Sequence, residues 1–288
     1  MLKFIFVFFA SLILHTTAGC KKTEKITDQF CTIGSEEFNS VTDTWIANFD
    51  SDGPVHEGRG NATGPMGLSE GVCEMAAMTR PMTDSEFENI KSRTGHEPAA
   101  LPVAVEAIAI ITHKKNPVKE LSQDDVITIF TDPDNFSKKD ISIFGINSAT
   151  DRYRFFKNNI LKNKNISDKI NEIAGPLELV DLTAKTPMSF GYARPAETTS
   201  DVNIIAIRNS ASTAVLPDRI SVQNGKYPFV RYYYIYIRTD RALSDKTEKF
   251  IQYILSERGQ SALIPHGLYP VSDAEKKSNL EKINNIKK

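Results

Sequence analysis

The chain has 288 residues, with 35 Lys and Arg against 36 Asp and Glu and a formal net charge of −1 at pH 7. So even a balance excludes the basic footprint of a nucleic-acid-binding protein. The length suffices for one large or two medium hydrophobic cores, and because single cores stop growing near about 250 residues, two lobes are the default expectation.

Residues 1–19 read as a secretory signal. Lys3 supplies a positive start, and the apolar run 4–14 behind it is short of the roughly 20 residues that span a bilayer. Thr16, Thr17, Ala18 and Gly19 then lead into Cys20, so small residues stand directly before a cysteine, as in a bacterial lipobox. Cys20 is expected to carry lipid as the first mature residue. Thr17 stands where a lipobox usually has an aliphatic residue, and an ordinary secretory signal with an incidental cysteine is the competing reading. Residues 20–28 are polar and read as a tether. Removing residues 1–19 takes away only Lys3 and moves the formal charge from −1 to −2. No later segment is apolar enough to cross a membrane. Export leaves Cys31 and Cys73 as an even pair in an oxidising compartment, to be bonded or simply packed as small hydrophobes.

Along the mature chain, short apolar runs alternate with helix-length amphipathic stretches. Residues 30–33 and 75–78 read as strands, and 40–49 and 84–92 as helices, which is the βαβ rhythm of a mostly parallel sheet. The run 101–111 is too long and too β-branched for one ordinary strand; it reads as two consecutive strands or as one that passes between lobes. Residues 122–130 open on Ser122 with acidic residues behind it, a favourable helix start. A helix is expected over 152–163, with Phe155, Phe156 and Ile160 on one core-facing side. Residues 227–237 form a strand by propensity, and 245–256 a final amphipathic helix. The Lys- and Asn-rich end, 275–288, reads as a solvated helix or a frayed tail.

Eight short motifs, in order, carry a resemblance that covers nearly the whole mature chain. They are Gly34-Ser35-Glu36-Glu37, the glycine loop from Gly58 to Gly64, Thr79-Arg80-Pro81-Met82, Asn116-Pro117-Val118 with Ile129-Phe130, Asn147-Ser148-Ala149-Thr150, Phe190-Gly191-Tyr192, Tyr227-Pro228, and Gly259-Gln260. In these the sequence resembles the phosphate-binding proteins of ABC transport, a branch of the type II periplasmic-binding fold. The resemblance implies an α/β protein of two lobes, each a mostly parallel sheet flanked by helices, with the ligand cleft between them. It assigns residues 29–108 and 228–288 to lobe I and 109–227 to lobe II. It makes the strands bearing Cys31 and Cys73 neighbours, and so implies a Cys31–Cys73 disulfide.

A desolvated oxyanion needs backbone amides, hydroxyls and usually an arginine, since its charge and lone pairs must all be satisfied. In the family these come from three loops that each lead into a helix. Here each loop is altered. Glu36 and Glu37 follow Ser35 where hydroxyls are expected, Asn61 replaces a serine, and Ile146 replaces the arginine ahead of Ser148. Thr150, Asp151 and Arg152 then stand in place of Ser-Gly-Thr. The resemblance matches Glu74 to the acidic acceptor of the ligand's proton, and Thr79-Arg80 to the family's Ser-Arg pair. Arg152 is the candidate to replace the lost arginine.

The implied partners are phosphate or another small solute and an ABC permease, with a lipid anchor at Cys20 holding the protein in the cell envelope, facing the periplasm or exterior. No cofactor and no nucleic acid are implied. Two alternatives stay open: the same fold binding an amine or zwitterion suited to Glu37 and Asp151, and a structural or interaction lipoprotein. An enzyme is the least supported reading. His56, His96, His113 and His266 lack metal-ligand spacing, and no serine lies in a Gly-x-Ser-x-Gly turn.

Overall fold

Two five-stranded sheets divide the described part of the chain, and the backbone passes between them only at residues 107–109 and 227–230. The structure is a computed structural model, and it describes residues 30–49, 52–137, 140–208, 210 and 212–286. The signal 1–19, Cys20 and the tether lie outside the described residues.

The first sheet takes β1 (Cys31–Gly34), β2 (Val55–Gly58), β3 (Met75–Met78) and β4 (Ala99–Ala107) from the start of the chain. Between them run α1 (Asn39–Asn48), α2 (Thr63–Glu70) and α3 (Asp84–Thr94). β1 pairs in parallel with both β2 and β3. β3 reads Met-Ala-Ala-Met with every residue buried, as a parallel strand covered on both faces requires. Cys31 and Cys73, ahead of β3, are joined by a disulfide with the Cα atoms 5.1 Å apart.

The second sheet is built from β5 (Ala109–His113), β6 (Glu120–Leu121) beside it in a small three-stranded ladder, β7 (Ser142–Ile146), β8 (Ile170–Ile173), β9 (Ser189–Ala193) and β10 (Val202–Ile204). Its helices are α4 (Gln123–Thr131), α5 (Pro133–Phe136), α6 (Asp151–Phe155) and α7 (Pro176–Lys185). The expected helix over 152–163 is shorter: α6 widens into a π-helical turn at Phe156–Ile160, and Lys162 and Asn163 then take positive φ. Phe156 nonetheless enters the core as its spacing predicts, stacked on Tyr192 at 3.8 Å.

The long apolar run resolves into β4 and β5, separated by Ile108 alone and belonging to different sheets. After β11 (Ala206–Arg208), β12 (Ala214–Val215) and α8 (Arg219–Gln223), the chain returns through Tyr227–Phe229 into β13 (Val230–Ile237), which pairs antiparallel with β3 and β4. The amide of Ile108 donates to the Phe229 carbonyl at 2.9 Å, and the Tyr227 hydroxyl donates to the Ile108 carbonyl at 2.9 Å, so the two crossing segments are bonded to each other.

The chain ends in α9 (Asp245–Leu255), α10 (Glu257–Ser261) and α11 (Asp273–Ile286). The last of these takes the first of the two expected forms, a largely solvated helix rather than a frayed tail, but with one buried seam. Asn279 and Ile283 are buried against the first sheet, with the Asn279 amide donating to the Pro102 carbonyl at 2.6 Å. A composition rich in Lys and Asn hid one apolar seam.

Candidate functional site

Three loops, each running from a strand into a helix, converge between the sheets. The first follows β1. An added Cβ at Gly34 would lie 1.8 Å from the Ala77 carbonyl oxygen, so only glycine lets this backbone approach β3, where the Ser35 amide donates to that same oxygen at 2.8 Å. The second follows β2, where Gly60 has φ +100°, a conformation that side chains disfavour. The third follows β7 and ends at Thr150, whose hydroxyl accepts from the Tyr153 amide at 3.1 Å and caps α6.

A cleft of about 710 Å³ opens where they meet. Glu36, Asn61, Thr79, Arg80 and Asp151 of the expected set line it, joined by Arg59, Thr83, Arg154, Asn158 and Asn159, which sequence reasoning did not single out, and by Phe155, which was expected to face the core and is only partly buried. At its floor the Asp151 carboxylate receives three donors with a single oxygen. Asn61 Nδ2 stands 2.5 Å from Asp151 Oδ2, Ser35 Oγ 3.1 Å and Thr79 Oγ1 3.5 Å. The Asn61 amide is itself held, its Oδ1 accepting from the Thr79 amide at 2.8 Å and its Nδ2 donating to Thr79 Oγ1 at 3.0 Å. Asp151 Oδ1 pairs with the Arg154 guanidinium at 2.5 Å. Arg80 is clamped by both oxygens of Glu86 at 2.7 Å, and that hydrogen bonding raises its pKa above the ordinary arginine value.

Behind the cleft lies a charge cluster that joins the sheets. Glu106, at the end of β4, meets Arg194 Nε at 2.7 Å, Arg231 Nε at 2.6 Å and Arg152 Nε at 3.2 Å. Arg152 is also held by both oxygens of Glu197, at 2.9 and 3.0 Å, while Arg231 pairs with Glu37. Buried Arg152 and Arg231 and the partly buried Arg194 thus face three carboxylates, as burial of charge demands. Burial alone pushes the Glu106 carboxyl up, but Arg194, Arg231 and Arg152 outweigh it and hold the group well below the usual carboxylate range.

This geometry corrects several sequence assignments. Glu74 is not in the cleft: it is buried just ahead of β3, at the opposite end of that strand from Thr79, accepting from the Ser244 amide at 3.2 Å and its hydroxyl at 2.6 Å, and from Thr247. It caps α9, a partnership across 170 residues that no local pattern signals. Arg152 does not swing into the cleft to replace the lost arginine, because Glu106 and Glu197 occupy its guanidinium. Glu37 likewise turns to Arg231 and to the backbone amide of Arg152, which it accepts at 3.2 Å. Ser148 donates to Glu172 at 3.0 Å in an exposed position, and Thr150 serves its helix cap. Ile146 is buried in the core of the second sheet. Glu106 and Arg231 went unremarked although each interrupts an apolar strand, a place where a charge must be paired if it is buried.

Comparison with known proteins bears on the fold and the family. The phosphate-binding protein PstS of Pseudomonas aeruginosa is 26% identical over 276 residues, spanning 87% of this chain and 85% of the relative. The protein SphX of Synechococcus elongatus is 23% identical over 206 residues, 66% of this chain and 61% of the relative. Among solved structures, a possible phosphate binding protein from Planctomyces limnophilus superposes with a TM-score of 0.71 at 17% identity, over 91% of this chain and 99% of that one. PstS from Borrelia burgdorferi gives 0.69 at 19% identity, over 85% and 100%. These similarities fix the fold as the two-lobed type II periplasmic-binding architecture, mixed α/β with helices flanking each sheet. Residues 22–258 match the family described as the PBP superfamily domain, and the chain belongs to that superfamily.

Proposed function

We propose that this protein is an extracytoplasmic solute-binding component of an ABC importer that captures phosphate or a closely related oxyanion and hands it on unchanged to a membrane permease. One observation carries the reading. The Ser35 hydroxyl, the Asn61 amide and the Thr79 hydroxyl converge on one carboxylate oxygen at the cleft floor, so the site is built to hold an oxyanion. Arg59, Arg80 and Arg154 stand on the walls, each paired with a carboxylate that an oxyanion can share or displace, and the relatives of similar length are named as phosphate-binding proteins.

Lobe I comprises residues 29–108 and 228–288, and lobe II residues 109–227. Capture closes the lobes about the two bonded crossings at Ile108 and Phe229. Lipid on Cys20 holds the protein at the outer face of a membrane; among the described residues no helix is long and apolar enough to cross one.

The test is thermal denaturation of the mature protein with and without phosphate, with sulfate and a small amine as comparators. A ligand at 100 times its dissociation constant adds about 2.7 kcal/mol to the folded state. A rise in Tm with phosphate is expected. No response to any tetrahedral oxyanion at tens of millimolar, or a response to the amine alone, overturns the proposal.

A further inference from the structure

We propose that Asp151 is a tethered anion that competes with the solute for the donors of the cleft, and so sets both the affinity and the selectivity of the site; this rests on the oxyanion reading above. A count of protons carries the argument. The hydroxyls of Ser35 and Thr79 own one proton each, and the Asn61 amide owns two. One amide proton goes to Thr79 Oγ1 and the other to Asp151 Oδ2, while the two hydroxyl protons also point to Asp151 Oδ2. Ser35, Asn61 and Thr79 are all buried, so water does not offer them a second set of partners. An incoming oxyanion must take the same protons, and the two occupancies exclude each other.

The competitor is firmly aimed. Asp151 begins α6 in the second half of the molecule, whereas its three donors belong to the first, so the contact closes the cleft from across it. Thr150 caps that helix start, the Glu37 carboxylate accepts the next amide, that of Arg152, and Arg152 is anchored on Glu106 and Glu197. A group tethered at short range acts at an effective concentration of about millimolar or more. The solute therefore gains only the difference between its own contacts and those of a carboxylate. Monocarboxylates gain almost nothing by such an exchange. A tetrahedral oxyanion, with more acceptor oxygens and more charge to place among Arg59, Arg80 and Arg154, gains the most.

The experiment is calorimetric titration of inorganic phosphate into the mature wild type, D151N and D151A, with acetate as a second titrant and circular dichroism to check folding. D151N keeps the size of the side chain and removes its charge; D151A removes the group, and either folded variant decides the matter. Phosphate affinity is expected to rise about tenfold or more in both, and acetate, silent in the wild type, to bind D151A measurably. If the wild type binds phosphate and the variants bind it equally or more weakly, Asp151 supports the ligand instead, and the inference falls while the oxyanion reading stands. If none of the three binds phosphate, both fall.

Discussion

Glu106, on β4 of the first sheet, and Arg152, on α6 after β7 of the second, meet at 3.2 Å with both side chains buried. Replacing Glu106 by Gln leaves Arg152, Arg194 and Arg231 facing one anion fewer, and breaking a buried pair on one side typically costs about 3–5 kcal/mol. Urea denaturation of E106Q is expected to show a loss of that size. A loss below about 1 kcal/mol means that water reaches the cluster.

The same carboxylate makes stability depend on pH. Its folded pKa is lowered by the three arginines, beside the buried Tyr233 hydroxyl, so the wild type binds fewer protons at Glu106 than the unfolded chain does. Its contribution is therefore fully present above the unfolded value of about 4.3 and is lost as pH falls below that toward the lowered folded value. Between pH 5 and pH 3 the melting temperature of the wild type should fall more steeply than that of E106Q. Parallel curves exclude Glu106 as the source.

The disulfide between Cys31 and Cys73 closes a separation of 42 residues. Loop-closure entropy assigns such a crosslink about 4 kcal/mol. Reduction of the folded protein should lower the urea midpoint accordingly, and thiol titration of the unfolded, unreduced protein should find neither cysteine reactive.

Glu74 offers a control on the cleft. Because its carboxylate serves Ser244 and Thr247 at the head of α9, Glu74→Gln is expected to cost about 1–3 kcal/mol of stability while leaving phosphate affinity unchanged. A tenfold or greater loss of affinity in a fully folded variant would return Glu74 to the ligand.

Cys20→Ala tests the anchor. Fractionation of cells expressing the wild type should find the protein with membranes, and the variant should move to the soluble fraction. A wild type that is already soluble, with an unmodified N-terminus, refutes lipidation.

Three parts of the site were legible in the residues: Ser35 behind Gly34, Asn61 in the glycine loop, and Thr79 after β3. Each lies where a strand turns into a helix, and such turns need small or hydroxyl residues for local reasons that survive without the rest of the chain. Asp151 and Arg152 were both expected at the cleft as neighbours in the third loop, yet only Asp151 is there. Chain position tells which loop bears a long side chain but not which way the side chain leaves it. Here the carboxylate enters the cleft and the guanidinium turns to Glu106 behind it.

By itself the sequence determined the alternation of strands and helices and the passage of residues 101–111 toward a second sheet, because hydrophobic period and turn chemistry act over a few residues; the three loops of the cleft were implied only by the family resemblance. Tertiary structure alone decided which charges meet. Glu74 with Thr247, Arg231 with Glu37 and Asp151 with Asn61 are separated by 173, 194 and 90 residues. Buried charges choose partners by which surfaces the packed sheets bring within about 3 Å, and the cost of leaving any one unpaired then holds the whole set in place.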